Sequence, residues 1–332
     1  MVPFQLSRRQ FLQGACAGMA LAASPTWSKS IKNRPNIVLI LADDMGYGDP
    51  GCYNSASKIA TPNLDSLSRN GMRFTDAHSG CAVCTPTRYG ILTGRYSWRS
   101  RLKQGVLYGY SPPLLEPQRP TIATLLKSSG YRTAAVGKWH VGLGWPTKDG
   151  SVLSDRNDET GQNIDYDTPI LDGPLQHGFD YFFGIPASLD MVPYVYIEND
   201  RVVEAPTTII EGQKGLLLMR GGPCAPHFKH EEVLPTLTDR ALNWMNGQQE
   251  PFFLYFPLTA PHTPVLPVDE FKGKSPFGPY GDFVTQVDHA VGRVVDSLRR
   301  RGLLENTLII FTSDNGSPQF AGDGHMPNYI WR

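Results

Sequence analysis

Two pairs of neighbouring residues carry the first sign of chemistry. Asp43-Asp44 and Asp314-Asn315 each close an apolar run, and between them they offer only oxygen donors. Carboxylates plus an amide carbonyl suit a hard cation, Ca²⁺ or Mg²⁺, rather than Zn²⁺. One Asp at a strand end is ordinarily a cap or a turn, but two such clusters at separate strand ends favour a shared site. Lys138, His140 and His262 stand at further strand ends. Without other context Lys138 reads as a solvated loop lysine and His262 as a turn histidine, while His140 serves structure or catalysis with equal ease.

The stretch "CAVCTPTR", residues 81–88, adds a pair of thiols. A structural zinc site needs four ligands, and no second CxxC exists; His227 and His230 are suggestively spaced but read as surface-loop histidines. A thioredoxin-like pair wants its first cysteine at a helix N-terminus. Here it is the second, Cys84, because Thr85-Pro86-Thr87-Arg88 opens a helix expected to run through Leu92 and to stop at Gly94. Cys84 is therefore presented at the positive end of a helix, where an anion is favoured. The spacing of Cys52 and Cys224 leaves their pairing undecided, and a chain of this size does not need disulfides as a small scaffold does.

The elements that must position these residues repeat one shape. "NIVLILADD", "YRTAAVGKWH", "PFFLYFPLTAPH" and "TLIIFTSDNG" are β-rich apolar runs that end in the polar residues just named. Near-continuous apolar strands are buried on both faces, as in a parallel sheet. Helices are expected between them. "TPNLDSLSRNG" begins with Thr61 as N-cap and Pro62 at the first position and ends at Gly71. "GDFVTQVDHAVGRVVDSLRRRG" is amphipathic, with Phe283, Val287, Val291, Val294, Val295 and Leu298 near one stripe, His289 read as structural, and Gly302 as the stop. Strand–helix–strand order predicts a doubly wound α/β fold with a mostly parallel sheet, and in such sheets ligands bind beyond the carboxyl ends of the strands. Residues 142–172 are polar and read as an insertion loop.

The totals bound the partners. Lys plus Arg number 31 and Asp plus Glu 31, so no global charge points to nucleic acid or an acidic membrane surface. Pro 28 and Gly 33 imply many loops, where catalytic groups commonly sit. Residues 1–30 read as an export signal: the paired arginines of "SRRQFLQ", the short apolar run "GACAGMALAA", and an A-x-A site at Ala20-Leu21-Ala22. That run is too short to span a bilayer. The leader resembles a bacterial Tat signal, which implies export of the folded protein to the periplasm or beyond. Cys16 lies inside it and Gln13 spoils the lipoprotein pattern, so no lipid anchor is expected.

At "CTPTR" followed by "ILTGRY" the chain resembles the type I sulfatases, whose C-x-P-x-R cysteine is oxidised to formylglycine. Thr87 stands where the usual pattern has Ser. The resemblance continues through "RPNIVLILADDMGYGD", "TPNLDSLSRNGMRFTDAHSGCAVCTPTR", "GKWHVG", "HGFDYFFGIPAS", "APHTP" and "SDNG", in the family's order and over nearly the whole chain after the leader. It implies an alkaline-phosphatase-like sulfatase domain over residues 31–332. It also implies conversion of Cys84 to 3-oxoalanine by a formylglycine-generating enzyme, and hydrolysis of sulfate esters. The aldehyde hydrates to a geminal diol; one deprotonated oxygen attacks sulfur and expels the alcohol, and the second hydroxyl then lets the sulfate leave by elimination. Carried over residue by residue, Asp43, Asp44, Asp314, Asn315 and the modified Cys84 match the ligands of Ca²⁺. Arg88 matches the arginine that steadies the formylglycine, and Lys138 and His140 match groups that contact the diol and the sulfate. His262 matches the proton donor to the leaving oxygen and Ser188 a serine near the sulfate. Cys81 has no assigned role.

Two other readings accompany this one. A formylglycine phosphonate or phosphodiester hydrolase would share fold and metal position, and a non-catalytic relative would keep the pocket for sulfated glycans. The alcohol part of the substrate is not legible: Tyr47, Tyr89, Trp98 and Trp139 could stack on a sugar, though packing is the better reading of each. A sulfated polysaccharide or glycosaminoglycan is the expected class. Family members continue past "SDNG" to a further lysine and a smaller C-terminal domain, so the domain is expected to be C-terminally incomplete, with reduced activity.

Overall fold

Ten consecutive residues of "PFFLYFPLTAP", Phe252–Pro261, form a single strand, and all ten are buried. Successive side chains of a strand point to opposite faces, so this burial requires cover on both. The strand is β8 of a computed structural model that describes residues 34–154, 160–249, 251–318 and 324–330. The leader read at residues 1–30, with Cys16, lies outside the described residues.

β8 lies between β2 and β1 in the interior of a seven-stranded sheet of order β5-β4-β3-β2-β8-β1-β9. β1 (Asn36–Asp43), β2 (Arg132–Lys138), β3 (Tyr181–Ile185), β8 and β9 (Thr307–Ser313) run parallel, while the short β4 (Ile197–Glu198) and β5 (Arg201–Val202) add an antiparallel edge. β6 (Thr208–Ile210) and β7 (Gly222–Cys224) pair separately. The helices are α1 (Pro62–Arg69), α2 (Cys84–Thr93), α3 (Ile122–Ser128), α4 (Val233–Gly247) and α5 (Gly278–Arg300). α5 packs on α1, α4 and β8, whereas α2 packs on α3 and α3 on β2. The expected α/β architecture is thus the observed one.

The apolar stripe of α5 faces inward. Val287, Val291, Val294 and Leu298 are fully buried, each worth about 1.5–3 kcal/mol relative to exposure. The helix starts three residues earlier than its sequence pattern, at Gly278, and Gly302 follows its end with φ of 67°, the left-handed stop expected of it. His289 on this helix is exposed and lies against the Phe271 ring.

Three expectations change. Thr61 precedes α1 but its side chain caps nothing there; its hydroxyl oxygen accepts the Gly51 N–H at 2.9 Å instead. The free N–H groups of Asn63 and Leu64 go to Asp288 of α5, at 3.2 and 2.8 Å, so a buried carboxylate from another helix replaces the local cap. β9, expected to be buried on both faces, is an edge strand paired only with β1, and Leu308 and Ile310 on one face are exposed. Residues 142–172 are irregular where described, but they are anchored rather than peripheral: Trp145 is buried and donates its indole N–H to the Gly109 carbonyl at 2.8 Å.

Candidate active site

The parallel strands deliver their terminal residues to one end of the sheet. Asp43 is the last residue of β1, Lys138 the last of β2, His262 follows β8, and Asp314-Asn315 follow β9. Cys84 is the first residue of α2, whose backbone ends at Gly94 in the left-handed region as expected. One ligand atom from each of Asp43, Asp44, Cys84 and Asp314 lies within 4.8 Å of the others, and Asp44, Cys84 and His262 form an overlapping group. His227 and His230 belong to no such group among the described residues. His227 pairs with Glu204 at 2.7 Å and His230 packs on Tyr194 and Phe228.

The floor of the site is a buried charge network. Arg88 reaches Asp43 at 3.1 Å and Asp314 at 2.8 Å through one nitrogen, and donates through another to the Lys138 carbonyl at 3.0 Å. Lys138 donates to both oxygens of Asp43 and, at 3.0 Å, to the hydroxyl of Ser188. Neither cation has any exposed side-chain surface. Lys138 is therefore not the solvated loop lysine that its bare sequence context allows. Burial works to raise Asp43, but Lys138, His262 and Arg88 outweigh it and hold the carboxyl well below its usual range. Asp314 goes the other way: burial and the neighbouring Asp43 push it up against the pull of Arg88. Three carboxylates, Asp43, Asp44 and Asp314, thus face two buried cations and remain short of positive charge.

The mouth is a cavity of about 500 Å³ lined by Asp44, Cys84, His140, His262 and Asn315, together with Met191, Asn328 and others. Asp44 and His140 both have left-handed backbones, with φ of 63° and 55°. That conformation is costly for residues with a Cβ and tends to persist at working sites. His140 is buried, and its Nε2 lies 2.8 Å from the Leu107 carbonyl. A carbonyl only accepts, so Nε2 carries the proton and Nδ1, which has no partner, is an acceptor in the neutral ring. Burial, then Lys138 and Arg88, keep that ring neutral by holding its pKa well below 6.5. His262 is partly exposed, with Nε2 3.5 Å from Asp44 and Nδ1 3.4 Å from Ser188 Oγ.

Cys84 is buried at 6 % exposure yet lines the cavity, so it is more enclosed than a loop-to-helix junction implies. Burial raises its thiol above the ordinary value. A thiol held protonated is a poor nucleophile and a poor redox partner, which counts against a thioredoxin-like pair with Cys81. Cys52, Cys81, Cys84 and Cys224 are all free. Of the aromatics, Tyr89 and Trp139 are buried core, while Trp98 is exposed and stacked on Tyr96.

The donor set fits a hard cation. Asn315 donates through Nδ2 to Asp44 at 2.5 Å and to the Gly316 carbonyl at 2.9 Å, and its Oδ1 is buried without a partner. An orphaned buried oxygen beside three crowded carboxylates is the pattern an oxygen-coordinated cation would satisfy.

A family model described as sulfatase matches residues 35–329. An N-acetylgalactosamine-6-O-sulfatase of Bacteroides thetaiotaomicron is 35% identical over 90% of this chain and 64% of its own length. Human arylsulfatase A is 35% identical over 93% of this chain and 55% of its own. The chain therefore spans somewhat over half the length of these relatives. A solved Bacteroides thetaiotaomicron structure, described with the metabolism of multiple glycosaminoglycans, superposes with a TM-score of 0.78 at 34% identity, over 91% of this chain and 68% of that one.

Proposed function

The chain belongs to the sulfatase family and has its alkaline-phosphatase-like α/β fold, and from that premise we propose that it hydrolyses sulfate esters to inorganic sulfate and an alcohol. The observation that carries the proposal is the convergence of Cys84 at a helix N-terminus with Asp43, Asp44, Asp314 and the orphaned oxygen of Asn315. On this reading a formylglycine-generating enzyme would convert Cys84 to 3-oxoalanine, whose hydrate would supply a nucleophilic hydroxyl and a second hydroxyl on the same carbon. Asp43, Asp44, Asp314, Asn315 and residue 84 would hold Ca²⁺, which supplies positive charge and acidifies the attacking hydroxyl. A divalent ion added to three carboxylates and two cations makes the site net positive, as an anionic substrate requires.

The remaining residues move and hold protons. Arg88 bridges two of the carboxylates and keeps the ligand cage in one geometry through its fixed fork of donors. On this reading Lys138 and Ser188, bonded to one another, would contact the sulfate. His140 offers Nδ1 as a hydrogen-bond acceptor to a hydroxyl on residue 84. His262, at the more open edge, would give a proton to the departing alcohol oxygen. The glycan-sulfatase relative supports a sulfated glycan as substrate, and the paired-arginine leader supports export of the folded protein. Among the described residues no helix is long and apolar enough to cross a membrane.

The test is mass spectrometry of the peptide around Cys84, coupled to assays on sulfated glycans, an aryl sulfate and a phosphonate ester. Aldehyde at residue 84 with sulfate release is expected. Unmodified thiol in every expression host, or turnover confined to the phosphonate, would overturn the proposal.

A further inference from the structure

The ladder between β1 and β9 ends at Ala42 and Ser313, so Asp44 and Asn315 lie beyond the last strand pairing and something else must hold them. Part of the answer is a segment that carries no sequence signal, residues 324–330. His325 is buried, with Nε2 2.8 Å from Asp49 Oδ1, while its Nδ1 accepts the Lys58 N–H at 3.2 Å. The other oxygen of Asp49 accepts from Gly46 N–H at 2.7 Å and from the Tyr280 hydroxyl at 2.6 Å, and that hydroxyl lies 3.4 Å from the Asp44 carbonyl. Two residues on from His325, the Pro327 carbonyl accepts the Gly48 N–H at 2.5 Å. It lies so close that a Cβ on Gly46 would stand 2.1 Å from it, which is why only glycine fits there. Asn328 then grips Ser317 twice, its Oδ1 accepting the Ser317 N–H and its Nδ2 donating to the Ser317 carbonyl, both at 2.8 Å.

One short segment is therefore bonded at once to the loop behind Asp43-Asp44 and to the loop behind Asp314-Asn315. We propose that His325 and Asn328 are positioning residues that strap these two loops together, set the spacing of Asp44 and Asn315, and so set the affinity of the site for its cation. The inference rests on the Ca²⁺ site proposed above. Groups that orient metal ligands commonly change metal affinity by about 10–100-fold when removed.

The experiment is calorimetric titration of CaCl₂ into metal-stripped protein, with the Ca²⁺-induced rise in Tm as a second readout. Wild type is compared with His325→Ala, Asn328→Ala and Asp314→Ala, and with Leu242→Ala in α4, which packs on β8, β2 and β3. His325→Ala and Asn328→Ala should each weaken Ca²⁺ binding about 10–100-fold with native circular dichroism. Leu242→Ala should lower Tm without changing the affinity. If His325→Ala fails to fold, Asn328→Ala decides, since it is only half-buried and removes two hydrogen bonds to one residue. Unchanged Ca²⁺ affinity in the strap variants, alongside binding by wild type and loss in Asp314→Ala, overturns the strap alone. No binding by wild type overturns the cation site and the strap together.

Discussion

The ammonium nitrogen of Lys138 lies 2.8 and 2.7 Å from the two carboxylate oxygens of Asp43, and both side chains are wholly buried. Such a pair is weak evidence of net stabilisation, but breaking it strands a charge without water. Lys138→Met is expected to destabilise the fold by about 3–5 kcal/mol. Adding Asp43→Leu should recover much of that stability without recovering turnover. Urea denaturation of the single and double variants checks this, and a single variant as stable as wild type would refute it.

Cys84→Ala should abolish sulfate ester hydrolysis while leaving the fold in place, because the residue lies outside the main apolar cluster and alanine is the best helix former. Cys84→Ser should also be inactive unless the host carries a serine-type maturation enzyme. Cys81→Ala, at a half-buried position without a role in the site, should stay within a few-fold of wild type. Equal losses at Cys81 and Cys84 would revive the paired-thiol reading.

Chelation should remove activity, and Ca²⁺ should restore it better than Zn²⁺, because the protein's ligands before modification of Cys84 are otherwise oxygen donors. Asp314→Ala should lose cation binding and activity together, as it also releases one arm of Arg88. Full turnover in demonstrably metal-free protein is the result that sinks the site.

Stability should carry the mark of His140. Its folded-state pKa is held well below 6.5, so below pH 6.5 the unfolded chain binds a proton that the folded one refuses. Its contribution to stability is thus intact above pH 6.5 and declines as pH falls below it, by up to about 1.4 kcal/mol per pH unit. Asp314, pushed upward, acts with the opposite sign, so the histidine is isolated by comparison with His140→Gln. Between pH 7 and 5, in metal-stripped protein, wild type should lose stability relative to that variant. A pH-independent difference between the two would contradict the prediction.

Much of the scaffold was legible because it is local. The runs that became β1, β2, β8 and β9 announce themselves by composition, and their polar last residues by position; a parallel sheet then carries those residues to one end. The start of α2 at Cys84 and its end at Gly94 follow from Pro86 and from the freedom of glycine at positive φ.

What needed the tertiary structure is what joins residues far apart in the chain. Arg88 and Asp314 are 226 positions apart, yet only their pairing in a dry site makes the floor rigid and shifts its carboxyls. Propensity at Thr61 pointed to a local cap, but a buried carboxylate 225 positions from Asn63 took that residue's backbone N–H. The left-handed turns at Asp44 and His140, the open face of β9 and the grip of His325 and Asn328 have no periodicity to betray them. Strand and helix patterns arise from neighbours a few residues apart. Desolvation, charge pairing and close backbone approach depend on what the folded chain brings alongside, so they were decided only by the three-dimensional structure.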